Sequence, residues 1–363
     1  MPDDGQPADV RGALPTIERK RPPPGRASVP HWQIACRSRD LRRTPRGVTI
    51  GGRPLVLFRD AQREAVALDD RCVHRNAPLS SGRVCRGLLQ CRYHGWEYDS
   101  AGRVAHIPAL PGTVALAAAP RIAKYYTREQ DGFVWVATGA ALPSGDPYRF
   151  PHLGEPGWTS FVMQTRFRGT VEACLENFLD CPHATFVHRY WFRAPTARPV
   201  RATVRATDDG AIAEFFEEPR KKSVVWWLLA PRGGAMEHTD RFIAPSTSRV
   251  DYRFPGGLHY IISSSCTEVA VGEIDVFTVI SFRWGWLGPL VRLYFEPLSR
   301  HIIRQDVDML ADQHANIERF GGPRFRSTAA DLLGSHIVAW REAIAAHAPP
   351  PVAGAPHDVE IRL

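Results

Sequence analysis

Hydrophobic and polar positions divide the chain into two regions with different patterns. Between residues 31 and 140, short apolar segments such as RPLVLFR and DGFVWVA are separated by turn residues, which predicts a small all-β domain. Between residues 158 and 347, longer alternating segments such as VRATVRAT and EIDVFTVISFRW predict one large antiparallel sheet with a buried face. The chain is therefore expected to have an α+β fold with two domains.

Helical periodicity adds two helices to the second region, at about residues 171–180 and 298–320. Side chains recur at helical spacing along the later helix and would form one inward stripe, made of Ile302, Ile303, Met309, Leu310, Gln313, Ile317 and Phe320. Both helices would cover the sheet. Between the two regions, residues 141–157 are rich in Pro and Gly and predict a linker.

The ends of the chain and its composition indicate a soluble globular protein. Residues 1–30, rich in Pro and Arg, are expected to form a mobile or loosely docked extension, and residues 348–363 a C-terminal tail. A chain of 363 residues with 44% apolar content can bury two cores. Its longest strongly apolar stretch, SVVWWLLAP, is too short to span a bilayer, and the polar N-terminus lacks the apolar segment of a signal peptide. No membrane association is expected.

Charge and cysteine usage narrow the function classes further. The formal net charge is +8, but no basic helix and no basic patch interleaved with aromatic residues is visible, so nucleic-acid binding is not expected. The seven cysteines show no disulfide framework, which favours reduced thiols and a cytoplasmic location.

Two cysteines occur together with two histidines in a metal-binding pattern. Cys72 and His74 read Cys-x-His, and after a gap of sixteen residues Cys91 and His94 read Cys-x-x-His. Two loops that each supply one thiolate and one imidazole can hold a [2Fe–2S] cluster of the Rieske kind, with the thiolates on one iron and the imidazoles on the other. A zinc site of two cysteines and two histidines is the alternative, but zinc motifs usually pair Cys with Cys and His with His.

A second metal-binding pattern occurs in the segment LENFLDCPHATFVHR. His183 and His188 are five residues apart, about 140° around an ideal helix, so they would not share a helix face. Pro182 precedes His183 and would break the helix there, which can bring both rings to one metal. Two histidines and one carboxylate form the facial triad of non-haem Fe(II) oxygenases. The alternative is a pair of surface histidines after a helix break.

Taken together, the two patterns resemble the Rieske non-haem iron oxygenases, specifically a terminal oxygenase (alpha) subunit of the alpha-only type. The motifs occur in the family's order, with the Cys/His loops first and Asn-x2-Asp-x2-His-x4-His second. The resemblance implies an N-terminal all-β Rieske [2Fe–2S] domain and a helix-grip catalytic domain built on the large antiparallel sheet. It also implies one [2Fe–2S] cluster and one Fe(II) per chain. Val73 and Arg92 stand where relatives often carry proline.

The family also uses a downstream aspartate as the third iron ligand, and the later helix offers Asp306, Asp308 and Asp312. Only Asp306 lies within the predicted inward stripe, where a buried carboxylate needs a cation or hydrogen bonds to offset its desolvation. The spacing from Asp306 to Gln313 also matches the family pattern Asp-x6-Gln, which places Gln313 near the ligands. An arginine partner across the core is the alternative for Asp306.

The resemblance assigns two further residues before His183. Asp180 resembles the family's bridging carboxylate, which would link His183 to His94 of a neighbouring subunit. Asn177 resembles a residue that lines the iron pocket, although it could equally be a polar position on the helix. The bridge implies a head-to-tail ring, and in this family the ring is usually a homotrimer.

The expected function is that of the oxygenase component in a multicomponent system. O2 and electrons from a separate NAD(P)H-dependent reductase, directly or through a ferredoxin, would be used to hydroxylate, demethylate or otherwise oxidise an apolar small molecule. Arg71, Arg75 and Arg92 lie within the cluster loops, where a cationic rim would attract an acidic electron donor. The alternative is that these arginines only form a solvated surface. Two rival functions stay open at this point, a Rieske electron carrier without catalysis and a small-molecule binding protein with a structural zinc.

Overall fold

The structure is a computed structural model, and it describes residues 16–17, 31–110, 121–139, 141–189, 191, 199–216, 236–254, 256–351 and 354–362. Most of the predicted N-terminal extension, residues 1–30, therefore lies outside the described residues, as does the SVVWWLLAP stretch. The one described piece of the extension is β1 (Thr16–Ile17), which pairs antiparallel with β19 (Phe325–Arg326).

The first domain consists of short strands in two antiparallel sheets. Its strands are β2 (Gln33–Arg37), β3 (Arg46–Ile50), β4 (Arg53–Arg59), β5 (Ala65–Asp69), β6 (Arg83–Cys85), β7 (Leu88–Gln90), β8 (Glu97–Tyr98), β9 (Val104–His106), β10 (Lys124–Gln130) and β11 (Phe133–Ala137), and short 3-10 helices occur at Ser38–Asp40 and Leu79–Ser81. Six strands form one sheet in the order β2-β11-β10-β5-β4-β3, and β6, β7, β8 and β9 form a second. The Cys/His loops lie between β5 and β6 and between β7 and β8.

The second domain contains one eight-stranded antiparallel sheet in the order β12-β18-β17-β16-β15-β14-β13-β20. Its strands are β12 (Thr159–Arg168), β13 (Pro199–Thr207), β14 (Gly210–Phe216), β15 (Glu237–Ile243), β16 (Thr247–Arg253), β17 (His259–Ala270), β18 (Glu273–Arg283) and β20 (His357–Arg362). The described helices are α1 (Val171–Leu179), α2 (His183–Phe186), α3 (Gly288–Arg319) and α4 (Gly334–Ala346), with a 3-10 turn at Gly285–Leu287. This is the antiparallel sheet with covering helices that the alternation predicted.

The main core of the second domain lies between the inner face of this sheet and the helices. Phe161, Phe215 and Phe282 from the strands pack there with Leu175 of α1 and Phe295 of α3. Alternation along each strand supplies these inward side chains, since every second residue points to the same face. The core therefore fixes the positions of α1 and α3 relative to one another.

The two domains share an aromatic interface on the opposite face of the sheet. Trp32, Phe133 and Trp135 of the first domain pack against Phe277 and Val279 of β18. The Phe133 and Phe277 rings meet edge to face with centroids 5.9 Å apart, which is a favourable aromatic geometry. The alternation of β18 places Phe277 on this interface side, away from the covering helices.

Polar contacts across the same interface involve backbone groups of both domains. Thr267 Oγ1 donates a hydrogen bond of 2.9 Å to the Ile34 carbonyl, and Arg37 Nη2 donates one of 2.9 Å to the Val162 carbonyl. The Gly51 N–H donates to the Glu268 carbonyl at 2.7 Å. Directional bonds of this kind restrict sliding that an apolar contact alone would permit.

The long helix differs from its predicted extent. It starts at Gly288, ten residues before the expected residue 298, and continues through Pro297. A proline within a helix removes one backbone hydrogen bond, so the sequence pattern suggested a start after it. Within the predicted inward stripe, Asp306 and Leu310 are buried, whereas Met309 and Phe320 are exposed, so the stripe is narrower than expected.

The C-terminal segment also departs from expectation. Residues 348–363 were expected to form a tail, but β20 within them pairs with β13 from Pro199↔Arg362 to Val204↔His357. This part of the tail therefore belongs to the eight-stranded sheet. Among the residues that the structure describes, no helix combines the length and apolar character that a membrane span requires.

Candidate cluster site and metal centre

The two Cys/His loops meet at one end of the four-stranded sheet. Cys72 and Cys91 are both buried, whereas His94 is exposed and its ring lies 4.5 Å from that of His74. Trp96 stacks on His74 with a centroid distance of 4.8 Å. The thiols therefore lie inward and the imidazoles outward, so that electrons would reach the surface through the histidine side.

The backbone requires glycine at two positions beside these loops, in one case because of a close approach and in the other because of a positive φ. A Cβ on Gly82 would lie 2.1 Å from the Gln90 carbonyl oxygen, which leaves no room for a side chain. Gly95 has φ +73° and donates its N–H to the Cys91 carbonyl at 3.1 Å. A positive φ is readily adopted by glycine alone. Both glycines thus allow the ligand loops to turn tightly.

Hydrogen-bond donors surround the two thiols. The Tyr98 hydroxyl lies 3.0 Å from Cys72 Sγ. Burial, reinforced by the Cys72 thiol, raises the pKa of Tyr98, so its hydroxyl keeps its proton and can donate. Burial also raises the pKa of Cys91, although the backbone N–H groups of Tyr93 and His94 point at this sulfur and oppose the effect. These donors suit sulfurs that carry negative charge, as they do when bound to iron.

An orphaned atom supports the same reading of the histidine side. His74 Nδ1 is buried and has no hydrogen-bond partner among the residues that the structure describes. Because an unpaired buried nitrogen is costly, a ligand to this atom is expected. The two thiols and the two imidazoles, one of which presents this nitrogen, fit a [2Fe–2S] cluster.

The second constellation is built from a broken helix and a long one. Helix α1 ends at Leu179, and α2 starts at His183 after Pro182, so the chain turns between the two. This turn places His183 and His188 opposite Asp306 of α3. The Nε2 atoms of the two histidines lie 3.4 Å apart, and Asp306 Oδ1 lies 3.5 Å from His183 Nε2 and 3.0 Å from His188 Nε2. The structure therefore brings these three predicted residues together.

Hydrogen bonds on the far side of each ring determine which nitrogen carries the proton. His188 Nδ1 donates to Gln305 Oε1 at 2.8 Å, and His183 Nδ1 donates to the Asp180 backbone carbonyl. Each Nε2 is then left with a lone pair directed at the other ring and at Asp306 Oδ1. Such outward hydrogen bonds from Nδ1 are typical of histidines that bind metals through Nε2.

The electrostatics of this arrangement favour a positive charge beside Asp306. Burial alone would raise the pKa of Asp306, but the facing imidazoles outweigh it and hold the pKa below its ordinary value. Burial alone would lower the pKa of His183, and the Asp306 carboxylate outweighs it and raises the pKa. Despite the short distances, Asp306 Oδ1 has no well-directed hydrogen bond to any described residue. Two neutral imidazoles and one carboxylate fit a divalent iron with open positions.

For the other two predicted site residues, Asp180 and Asn177, the structure shows no side-chain contact with the metal-ligand residues among the hydrogen bonds of the described chain. Asp180 is half-buried at the end of α1, where burial raises the pKa of its carboxyl despite the opposing effect of His183. Asp180 accepts the hydrogen bond from His183 Nδ1 with its backbone carbonyl and not with its side chain. Asn177, one turn earlier, has a buried Oδ1 without a partner in the described part of the chain.

The structure identifies a glutamine beside the ligands that the sequence analysis did not name. Gln305, which precedes Asp306, accepts the hydrogen bond from His188 Nδ1. The expectation that Gln313 lies near the ligands stays a prediction. Gln305 was not identified from the sequence, because a polar residue next to a buried one on a helix has no distinguishing pattern. Asp308 and Asp312, the other carboxylates considered, are exposed.

Comparison with known proteins gives matches for both domains. Residues 31–125 match the Rieske [2Fe-2S] domain, and residues 167–348 match the vanillate O-demethylase oxygenase C-terminal domain. The vanillate O-demethylase oxygenase subunit of a Pseudomonas species is 36% identical over 286 residues, which cover 72% of this chain and 85% of that protein. Aminopyrrolnitrin oxygenase PrnD of Pseudomonas fluorescens is 37% identical over 174 residues, 43% of this chain and 45% of that protein.

The fold has close structural neighbours. A crystal structure of dicamba monooxygenase bound to dicamba superposes with a TM-score of 0.75 at 23% identity, covering 87% of this chain and 97% of that one. The chain spans about half the length of several curated relatives, including 45% of PrnD and 47% of the dicamba O-demethylase oxygenase component of Stenotrophomonas maltophilia.

These matches define an oxygenase built from a Rieske domain and a non-haem iron domain. The chain belongs to the Rieske non-haem iron oxygenases and corresponds to their alpha subunit. The cofactors of this family are a [2Fe–2S] cluster in the Rieske domain and a mononuclear Fe(II) in the catalytic domain. The electron-carrier and zinc-protein alternatives are not supported.

The hydrogen bond from Tyr98 to Cys72 gives a first prediction. Tyr98→Phe removes a donor that favours the more negative, reduced cluster. A hydrogen bond worth about 1 kcal/mol more in the reduced state corresponds to about 40 mV, so the reduction potential should fall by about that amount. Redox titration followed by absorption measures it. Tyr125→Phe, which removes a hydroxyl bonded to Asp69, is the control and should leave the potential unchanged.

Proposed function

We propose that this chain is the oxygenase component of a multicomponent Rieske system. It uses O2 and electrons from a separate NAD(P)H-dependent reductase, directly or through a ferredoxin, to oxidise an apolar small molecule. The observation that carries the proposal is the convergence of His183 Nε2, His188 Nε2 and Asp306 Oδ1 on one buried point, in a chain that also contains the two Cys/His loops.

In this proposal, Cys72, His74, Cys91 and His94 hold the cluster, and His183, His188 and Asp306 hold the Fe(II). The iron, when bound, supplies the chemistry of O2 activation. The protein supplies geometry, because Gln305 and the Asp180 carbonyl hold the two imidazoles in the tautomer that presents Nε2. Burial of His188 and Asp306 excludes bulk water from the ligand set.

The substrate would bind between the inner face of the sheet and the iron ligands. Phe161, Phe215, Phe282 and Tyr252 line this side of the sheet and favour an apolar or aromatic molecule. The match of residues 167–348 to the vanillate O-demethylase C-terminal domain favours oxidative demethylation. Relatives named for vanillate, dicamba and methylxanthine demethylation support the same class of small, methylated substrates.

Electrons would pass between subunits through Asp180. In the proposed homotrimer, the Asp180 carboxylate would link His183 to His94 of a neighbouring chain. Two features support this path: the His94 ring is exposed and available to a neighbour, and Asp180 adjoins the loop that carries His183. Asn177, whose buried Oδ1 has no hydrogen-bond partner within the described ranges, would line the pocket next to the bridge.

The iron assignment is tested by Asp306→Ala. The variant should lose the mononuclear iron, so that total iron falls from about three to about two atoms per chain while the Rieske absorption persists. Substrate turnover should then fall below detection. Metal analysis and visible absorption are the measurements. Asp308→Ala, which removes an exposed carboxylate of the same helix, is the matched control and should keep all iron. Full iron and activity in Asp306→Ala would refute the proposed site.

The subunit path is tested by mixing two inactive chains. Asp180→Asn should keep both metal sites loaded and the cluster reducible, but turnover should fall by at least about 100-fold because the bridging charge is lost. Cys91→Ser should lose the cluster. Rings assembled from both variants should regain activity, since an intact cluster of one chain then faces an intact Asp180 and iron on the other. Mixed rings without any recovery, or normal turnover of Asp180→Asn, would rule out this path.

Docking of the electron donor is tested by charge reversal. Arg71, Arg75 and Arg92 are all exposed beside the cluster loops. Reduction by an acidic donor should slow as salt rises, because exposed charges are screened over about 8–10 Å at physiological ionic strength. The triple Arg→Glu variant should lower the association rate by at least about 10-fold in stopped-flow measurements at low salt, with little change in the limiting rate.

The control for charge reversal is the same change at three exposed arginines of the second domain, Arg201, Arg319 and Arg362. This variant has the same net charge and should keep the association rate within about twofold of wild type. If both triple variants were slowed equally, net charge rather than a local docking surface would be responsible.

A further inference from the structure

A second group of buried polar side chains lies next to the proposed iron ligands. Cys181 belongs to the segment between α1 and α2, and His238 and Asp240 project inward from β15. Cys181 is 7% exposed, His238 1% and Asp240 2%. A carboxylate buried this deeply needs hydrogen bonds or a cation to offset its desolvation.

Both carboxylate oxygens of Asp240 have a partner. The Cys181 thiol donates to Oδ2 at 3.1 Å, and His238 Nε2 donates to Oδ1 at 2.9 Å. The His238 ring is held between two aromatic rings, with centroids 4.3 Å from Phe215 and 4.4 Å from Tyr252. The carboxylate is therefore tied to a rigid part of the sheet on one side and to the iron loop on the other.

The hydrogen-bonding state distinguishes this group from the iron site. The donor atoms of Cys181, His238 and Asp240 are close enough for a metal, as are those of His183, His188 and Asp306. Asp306 Oδ1, however, lacks a well-directed bond to any described residue, whereas Asp240 accepts one bond on each oxygen. The group at Asp306 therefore still needs a cation, whereas the hydrogen-bonding capacity of Asp240 is already satisfied by its two partners.

The segment that Cys181 occupies joins α1 to α2 without regular helical hydrogen bonding. Between Leu179 and His183 the chain is not helical, and Pro182 has no N–H to donate, although its carbonyl accepts from the Thr185 N–H at 3.1 Å. The Asp180 N–H bond to the Asn177 carbonyl is long, at 3.4 Å. This same segment carries the carbonyl that orients the His183 ring. A side-chain tether is therefore well placed to determine where His183 lies.

We propose that Asp240, fixed by His238, is a positioning residue that acts through the Cys181 thiol to hold the Asp180–His183 segment in its iron-binding conformation. The inference rests on the proposed function in one respect, that His183 is an iron ligand. Residues that orient ligands from behind typically contribute about 10- to 100-fold to metal affinity.

The test compares Cys181→Ala with Cys181→Ser. Alanine removes the hydrogen bond to Asp240, whereas serine retains a donor at nearly the same position. Cys181→Ala should weaken Fe(II) binding by about 10-fold, and Cys181→Ser should restore it to within about threefold of wild type. Fe(II) titration of protein that retains its cluster gives the affinity, and the Rieske absorption reports that the first domain is intact. Cys36→Ala, which removes a buried thiol from the first domain, is the matched control.

A second measurement does not depend on bound iron. Hydrogen exchange of the iron-free protein should show faster exchange of residues 180–188 in Cys181→Ala, and unchanged exchange in Cys181→Ser and Cys36→Ala. Asp240→Asn should resemble Cys181→Ser, because the amide oxygen still accepts from the thiol and the amide nitrogen can donate to His238 Nε2 in the other imidazole tautomer. Asp240→Ala should resemble Cys181→Ala.

Each outcome is decisive. Wild-type affinity and wild-type exchange in Cys181→Ala would overturn the positioning role, and so would equal weakening in the Ala and Ser variants or in Cys36→Ala. A wild-type protein that binds no mononuclear iron would instead refute the proposed function. The exchange of residues 180–188 would then still decide whether Cys181 and Asp240 hold this segment.

Discussion

The rest of the catalytic domain depends on one costly arrangement, a buried carboxylate facing two imidazole lone pairs. Asp306 is 6% exposed, and its Oδ1 lies within 3.5 Å of both His183 and His188 Nε2. Without a cation, lone pairs on three atoms repel one another in surroundings of low polarity. The core between the sheet and the helices must therefore hold α1 and α3 firmly enough to keep these groups together, and a bound metal would offset this cost.

In the Rieske domain, too, buried groups support side chains that reach the surface. Its thiols are buried behind Tyr98 and backbone N–H groups, while His94 is at the surface. In the proposed cluster site, burial around the sulfurs would shield the part of the cluster with the most negative charge, and the exposed imidazole would give electrons a short route outward. Exposed arginines on the neighbouring loops add a positive field near that exit.

Much of this organisation could be predicted from the sequence because the informative residues are close together along the chain. The spacing of Cys72 with His74 and of Cys91 with His94 is local, and so is the break at Pro182. Asp306 could be selected from helical periodicity, since a charged residue within an apolar stripe stands out. Gln305 and the Cys181–Asp240 contact could not, because they depend on how distant segments pack. Strand alternation alone likewise does not tell on which of the two buried faces of the sheet Phe277 lies.

The aromatic interface between the domains also limits how the enzyme can respond to reduction. Phe277 and Val279 pack among three aromatic side chains of the Rieske domain, and hydrogen bonds from Thr267 and Arg37 cross the same boundary. Such a boundary opposes a swinging motion of the kind that carries redox domains between distant partners. The separation of the two metal sites within one chain is then nearly constant. If the proposed function holds, control over the timing of electron arrival would then lie in the ligand loops and in the encounter with the donor.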